Sequence, residues 1–219
     1  MNLIFGKDIV IVLVGDSQGR EMIKRLKTLG WGRMLVERDT RLYGGEPWGF
    51  DNGAYGWWMK GEEFDEDVYL ERLEWAYAKR RPCLAVTPDK VAAGTESLEF
   101  SEKWLKRLPA DWPWFLAVQD GMEVADVESV VGHYAGLFLG GTAKFKSTAQ
   151  TWRELANKHG RLFHYGRCGT IRKLQHARIV GADSLDSAFP LWSIERFEWF
   201  AYVFKNGHPQ YDLYSQEVI

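Results

Sequence analysis

Five places along the chain carry side chains or backbone able to do chemistry. They are Asp51, Asp89, Gln119, the pair Gly140-Gly141, and Asp186. Each follows a short apolar run, respectively Trp48-Phe50, Cys83-Val86, Phe115-Val118, Leu137-Leu139 and Ala182-Leu185. Runs of that length bounded by polar residues predict buried strands. Two carboxylates at one opening suit a nucleophile and a general acid/base acting at an anomeric carbon. A third can accept hydrogen bonds from the N1-H and N2 amine of a guanine, and Gly140-Gly141 allows close approach by a ligand and offers backbone N–H donors. Any one Asp after a strand reads equally well as a helix cap. Asp51, Asp89 and Asp186 at equivalent strand ends point together to one catalytic rim.

The elements that must position this rim alternate short strands with longer amphipathic stretches, the pattern of βα units. Strands are predicted at Asp8-Val14, Met34-Glu37 and Arg161-Tyr165 besides the five runs above. Helices are predicted at Arg20-Leu29, Asp65-Lys79, Leu98-Leu108, Val124-Val131, Thr148-Lys158, Ile171-Val180 and Ile194-Phe204. About eight strands with helices between them predict an α/β fold, a compact single-domain (β/α)8 barrel over residues 1–219. Arg38-Pro47 is too polar and glycine-rich for a full helix, and Tyr211, Leu213 and Tyr214 could pack across the barrel's foot.

Composition narrows the function classes. With 219 residues, 46% hydrophobic and 15% aromatic, the chain can bury a large core. A net charge of −2 supplies no global basic field, so nucleic-acid contact has to come from a local patch. The two cysteines, Cys83 and Cys168, form no closely spaced pair. That argues against a disulfide framework and a Cys-rich zinc site, so no metal is expected. Met1-Phe5 lacks a basic leader and no later stretch is apolar enough to span a bilayer, so a soluble cytoplasmic protein without a membrane partner is expected.

Other residues have two readings. Lys144 and Lys146 could grip a phosphate or decorate a solvated loop. Gly166-Arg167-Cys168-Gly169-Thr170 opens a predicted helix and suggests an anion site, and Arg172, Lys173 and Arg178 continue its positive charge or form an ordinary exposed face. Tyr55, Trp57 and Trp58 could stack on a base or fill gaps in a chain with 11 Trp. His164 at a strand end could carry a proton; no paired His or Cys makes it a metal ligand. Asp183 reads as structural, turned away from Asp186 if the strand alternates regularly. No Ser-His-Asp order, phosphate-binding P-loop or dinucleotide fingerprint is present.

In order, Asp51-Asn52-Gly53-Ala54-Tyr55, Thr87-Pro88-Asp89, Val118-Gln119-Asp120-Gly121, Leu139-Gly140-Gly141, Gly166 to Thr170 and Gly181 to Asp186 resemble the tRNA-guanine transglycosylase superfamily. The match is closest to its short phage-type branch, the 7-deazaguanine DNA transglycosylases. The resemblance implies a (β/α)8 barrel that exchanges guanine for a 7-deazaguanine (preQ0-like) base through a covalent enzyme–sugar intermediate, a chemistry that requires no cofactor. It assigns Asp186 as the nucleophile at C1′ and Asp51 as the acid/base. Asp89 is assigned to the purine N1/N2 edge, and Gln119 and Gly141, next to Gly140, to O6. Tyr55 would stack on the base and Tyr165 would cover its other face. The tRNA enzymes' Cys-rich zinc insertion has no counterpart here. That favours DNA, single-stranded or with the guanine flipped out, held by Lys144, Lys146, Arg167, Arg172 and Lys173, with a helper protein or a homo-oligomer as a further partner. The same exchange on RNA or tRNA, a phosphosugar-binding barrel enzyme, and a silent deazaguanine or nucleic-acid binding module are the alternatives.

Overall fold

The computed structural model describes residues 11–16, 19–36, 42 and 45–207. Eight parallel strands close into a barrel in sequence order: β1 Ile11–Val14, β2 Gly32–Leu35, β3 Trp48–Phe50, β4 Leu84–Val86, β5 Trp114–Val118, β6 Gly136–Leu139, β7 Leu162–Tyr165 and β8 Ser184–Ser187. The helices are α1 Arg20–Leu29, α2 Ala54–Lys60, α3 Glu66–Tyr77, α4 Thr95–Leu105, α5 Val124–Glu128, α6 Ala143–Lys146, α7 Ala149–Lys158, α8 Ile171–Ile179 and α9 Ile194–Asn206. The fold is the expected compact (β/α)8 barrel. Among the described residues no helix is long and apolar enough to cross a membrane, and no group of three or more His, Cys, Asp or Glu is arranged to hold a metal.

Period-2 alternation sorts the strand residues into two cores. A small cluster of Leu13, Met34, Leu84, Val86, Phe115, Ala117 and Phe138 fills the barrel interior. A larger one, including Trp114, Leu116 and Val118 of β5, lies between strands and helices. Both faces of each strand are therefore covered, which is why the strands read as continuous apolar runs. Gly136 makes room inside: a Cβ there would stand 2.4 Å from the Phe115 ring. Most of the Trp residues serve the outer layer. Trp112 and Trp114 stack at 5.5 Å, and Trp104 meets Phe64 and Tyr69 edge-on.

Helix ends follow local chemistry. α1 has the predicted bounds and stops at Gly30 in the left-handed region. Asp65, Thr170 and Ser193 cap α3, α8 and α9 by accepting N–H bonds from Val68, Lys173 and Arg196. Two short helices, α2 and α6, occupy stretches where no helix was predicted. Seven residues including Gly56, and four residues, are too short to show a 3.6-residue period.

The last strand is shifted from its predicted place. Instead of ending at Leu185, β8 runs from Ser184 to Ser187, because β1 pairs alongside it up to Val14↔Ser187. Asp186 thus lies within the strand and shares the inward face with Ser184. Asp183, just before β8, is buried against Arg153 at 2.6 Å and accepts the Phe163 N–H at 2.9 Å, a structural role. Residues 8–10 of the first predicted strand, Glu37 of the second, most of the 38–47 segment, and Tyr211, Leu213 and Tyr214 lie outside the described residues.

Candidate active site

The carboxyl ends of the strands bring Asp51 and Asp186 to one opening. Asp51 follows β3, and its Oδ1 accepts the Gly53 N–H at 2.8 Å. Its backbone carbonyl and that of Asn52 take the buried Arg72 guanidinium, at 2.9 and 3.1 Å, which clamps the turn into α2. Gly53 is required here: its φ is +77°, and a Cβ would meet Arg72 Nη1 at 2.5 Å. Burial raises the Asp51 pKa above the ordinary carboxylate value, and the nearby charge of Asp186 raises it further, against the Gly53 hydrogen bond. Asp186 Oδ1 accepts the Arg167 N–H at 2.9 Å and faces His164 Nε2 at 3.0 Å. Asp51 is thereby biased towards its acid form.

Asp89 sits beside this pair in a polar network. Its Oδ1 accepts from Asn52 Nδ2 at 2.6 Å and its Oδ2 from Gln119 Nε2 at 3.0 Å. Burial pushes its pKa up to about 6, with the Asp51 charge adding to the rise. The amide orientations are settled by their backbone partners: Ala54 N–H donates to Asn52 Oδ1, and Ala92 N–H donates to Gln119 Oε1, at 2.8 and 2.7 Å. Gln119 Nε2 also reaches the Lys90 carbonyl and Ser97 Oγ. Gln119 therefore braces Asp89 and the 90–97 loop with both ends of its amide, rather than presenting a free amide to a purine O6.

A cavity of about 500 Å³ opens over the mouth, within the range of small-molecule sites. Tyr55, Trp58, Gln119, Gly141, Lys146, Arg167, Lys173, Asp186 and Trp192 are among its lining residues. An adjoining cavity of about 430 Å³ is lined by Asp89, Trp58, Phe64 and Phe100. Tyr55 is half-exposed, and the Arg167 guanidinium lies 3.5 Å from its ring centre, so a base stacking on that face must displace it. Trp57 instead packs against Phe64 at 5.1 Å. Gly140 spends its N–H on the Val118 carbonyl at 2.9 Å, and of this pair Gly141 lines the cavity.

Two expected binding residues and one expected binding loop are placed differently. Lys146 is buried, not a surface cation beside the exposed Lys144. Its Nζ donates to the carbonyls of Leu139, at 2.8 Å, and Gly166, tying together the ends of β6 and β7. Burial lowers its pKa to about 7. Tyr165 does not face the mouth either. It points to the helix layer and its hydroxyl pairs with His176 Nδ1 at 3.1 Å, because alternation along β7 turns its neighbour His164 inward. The Gly166–Thr170 loop is not an open anion nest: the Arg167 and Cys168 N–H groups are taken by Asp186 Oδ1 and the Asp186 carbonyl. Arg172 is exposed, Lys173 lines the cavity, and Arg178 donates to the Val203 carbonyl at 2.7 Å.

Asn52, Ser97 and Trp192 join the site without having been singled out from sequence. Asn52 stood within the Asp51 to Tyr55 motif, and its place beside an acid was the available signal. Trp192 follows β8 in a stretch with no motif. The chain matches no protein-family model, and no curated protein is significantly similar to it.

Proposed function

We propose that this barrel is a base-exchange transglycosylase that replaces guanine in DNA with a 7-deazaguanine. The reading is carried by one observation: two carboxyl groups share the mouth, Asp51 raised in pKa by burial and by the charge of Asp186, and Asp186 accepting the Arg167 N–H and facing His164 Nε2. It is supported further by the ordered motif resemblance and by a carboxylate–amide network beside an aromatic-lined cavity.

In this reading Asp186 attacks C1′ of the target nucleotide as the C1′–N9 bond breaks. The bonding electron pair leaves with guanine, which takes a proton from Asp51. Asp51, now ionised, accepts the N9 proton of the incoming deazaguanine, whose N9 attacks C1′ and expels Asp186. Two inversions give net retention at the sugar. Asp89 holds the N1/N2 edge, and Tyr55 stacks on the ring once Arg167 has moved aside. Exposed Lys144, Arg167 and Arg172, with Lys173 at the cavity, supply charge for a phosphate backbone.

The deciding experiment incubates the protein with guanine-containing DNA, or with tRNA, and labelled 7-deazaguanine. Label is expected in DNA, and an Asp186→Asn variant should lose at least about 1,000-fold in rate while keeping its fold. Full exchange by that variant refutes the mechanism. Exchange on tRNA alone keeps the chemistry and changes the substrate.

A further inference from the structure

We propose that His164 is a positioning residue that commits Asp186 to attack through Oδ2. The inference rests on the transglycosylase reading for the identity of the reaction. His164 is fully buried on the inner face of β7, where its ring stacks on Phe138 with centroids 4.8 Å apart and planes 17° from parallel. Nδ1 meets Ser184 Oγ at 2.7 Å and Nε2 meets Asp186 Oδ1 at 3.0 Å. Ser184 and Asp186 stand two residues apart on β8, so one imidazole edge engages both inward side chains of that strand.

The attacking form of Asp186 is the carboxylate, which only accepts hydrogen bonds, so Nε2 carries the hydrogen in either charge state of the ring. In the neutral ring Nδ1 then accepts a hydrogen bond from the Ser184 hydroxyl. Oδ1 receives a second donor from the Arg167 N–H at 2.9 Å. Among the described residues no hydrogen bond is made to Oδ2. A carboxylate with one oxygen held twice and the other unengaged presents a defined nucleophilic atom. The Oδ2–C1′ bond forms as the C1′–N9 bond breaks, the electron pair leaves with the purine, and Oδ1 becomes the ester carbonyl, still facing the same two donors. His164 touches neither sugar nor base; it acts through Asp186. Its closed surroundings also separate it from a proton-carrying role, because both ring nitrogens are committed inside the barrel.

Two variants and one spectrum test this. His164→Phe keeps the ring that stacks on Phe138 and removes the donor, whereas His164→Gln restores an amide N–H near the position of Nε2. With a charge-assisted hydrogen bond lost, His164→Phe is expected to lower kcat for exchange about 10- to 100-fold with KM for the free base unchanged, and His164→Gln to recover most of it. In the wild-type protein, nitrogen NMR should find Nε2 of His164 protonated, with that proton shifting in Asp186→Asn. Wild-type kcat in His164→Phe, equal losses in both folded variants, or an Nδ1-protonated neutral ring each overturn the positioning role. If Asp186→Asn is inactive while His164→Phe is not, only this inference fails. If Asp186→Asn retains exchange, the transglycosylase reading itself fails.

Discussion

Asp89 offers a measurement that reads the site without any substrate. Its pKa is about 6 in the folded protein against a model-peptide value of 3.8. A carboxyl group whose folded pKa is raised contributes stability that is fully present below its unfolded pKa and is lost as pH rises through the folded one. A rise from 3.8 to about 6 corresponds to about 3 kcal/mol at full ionisation. Most of that, about 2 kcal/mol, is lost between pH 4 and pH 7.5. Asp89→Asn removes the titration. It also sets an amide NH2 against the NH2 of Asn52 or Gln119, whose orientations are locked by Ala54 and Ala92. That conflict costs about 1–3 kcal/mol at every pH. The variant is therefore expected to lie below the wild type at pH 4 and to converge on it, or overtake it, at pH 7.5. Urea unfolding of both proteins at the two pH values measures the double difference. A double difference under about 0.5 kcal/mol would show that Asp89 does not carry the burial penalty assigned to it. Binding runs the opposite way: holding the guanine edge requires ionised Asp89, so affinity for free 7-deazaguanine should fall about tenfold per pH unit below 6.

The other predictions concern the cavity walls. Tyr55→Ala removes the stacking surface and should weaken free-base binding by about 1–3 kcal/mol, read by calorimetry; unchanged affinity would remove Tyr55 from the base site. Lys146→Met takes the ammonium donor from the Gly166 carbonyl and one of two donors from the Leu139 carbonyl, which keeps the Gly166 N–H, and should destabilise the fold by about 1–3 kcal/mol in urea unfolding. Lys144→Glu should leave stability within about 0.5 kcal/mol and weaken DNA binding most at low salt. If the two lysine variants behave alike, the division between clasp and surface cation is wrong.

The architecture was readable from sequence because a parallel barrel writes its strands as separate apolar runs, each ended by a polar residue. Asp51, Asp89 and Gln119 stand where those runs stop, and α1, α7 and α8 follow from their apolar spacing and polar flanks. The phase of the strands was not readable. In β7 both faces are buried, so Phe163, His164 and Tyr165 give no polarity contrast to say which side faces the lumen. A one-residue change of phase reverses every side chain. That is why Tyr165, expected over the base, points to α8, while its neighbour His164 meets Asp186. The register of β8 against β1 likewise moved Asp186 from beyond the strand into it. Lys146 makes the same point for charge: as a letter it reads as solvated, and only two carbonyls from different strands, converging where β6 and β7 end, make burial of its ammonium group possible. Strand order and rim chemistry are local properties, repeated unit by unit along the chain. Facing and partnership depend on how neighbouring strands pair and curve around the lumen, which brings residues 20 or 22 positions apart, such as Ser184 and Asp186 with His164, into hydrogen-bond contact.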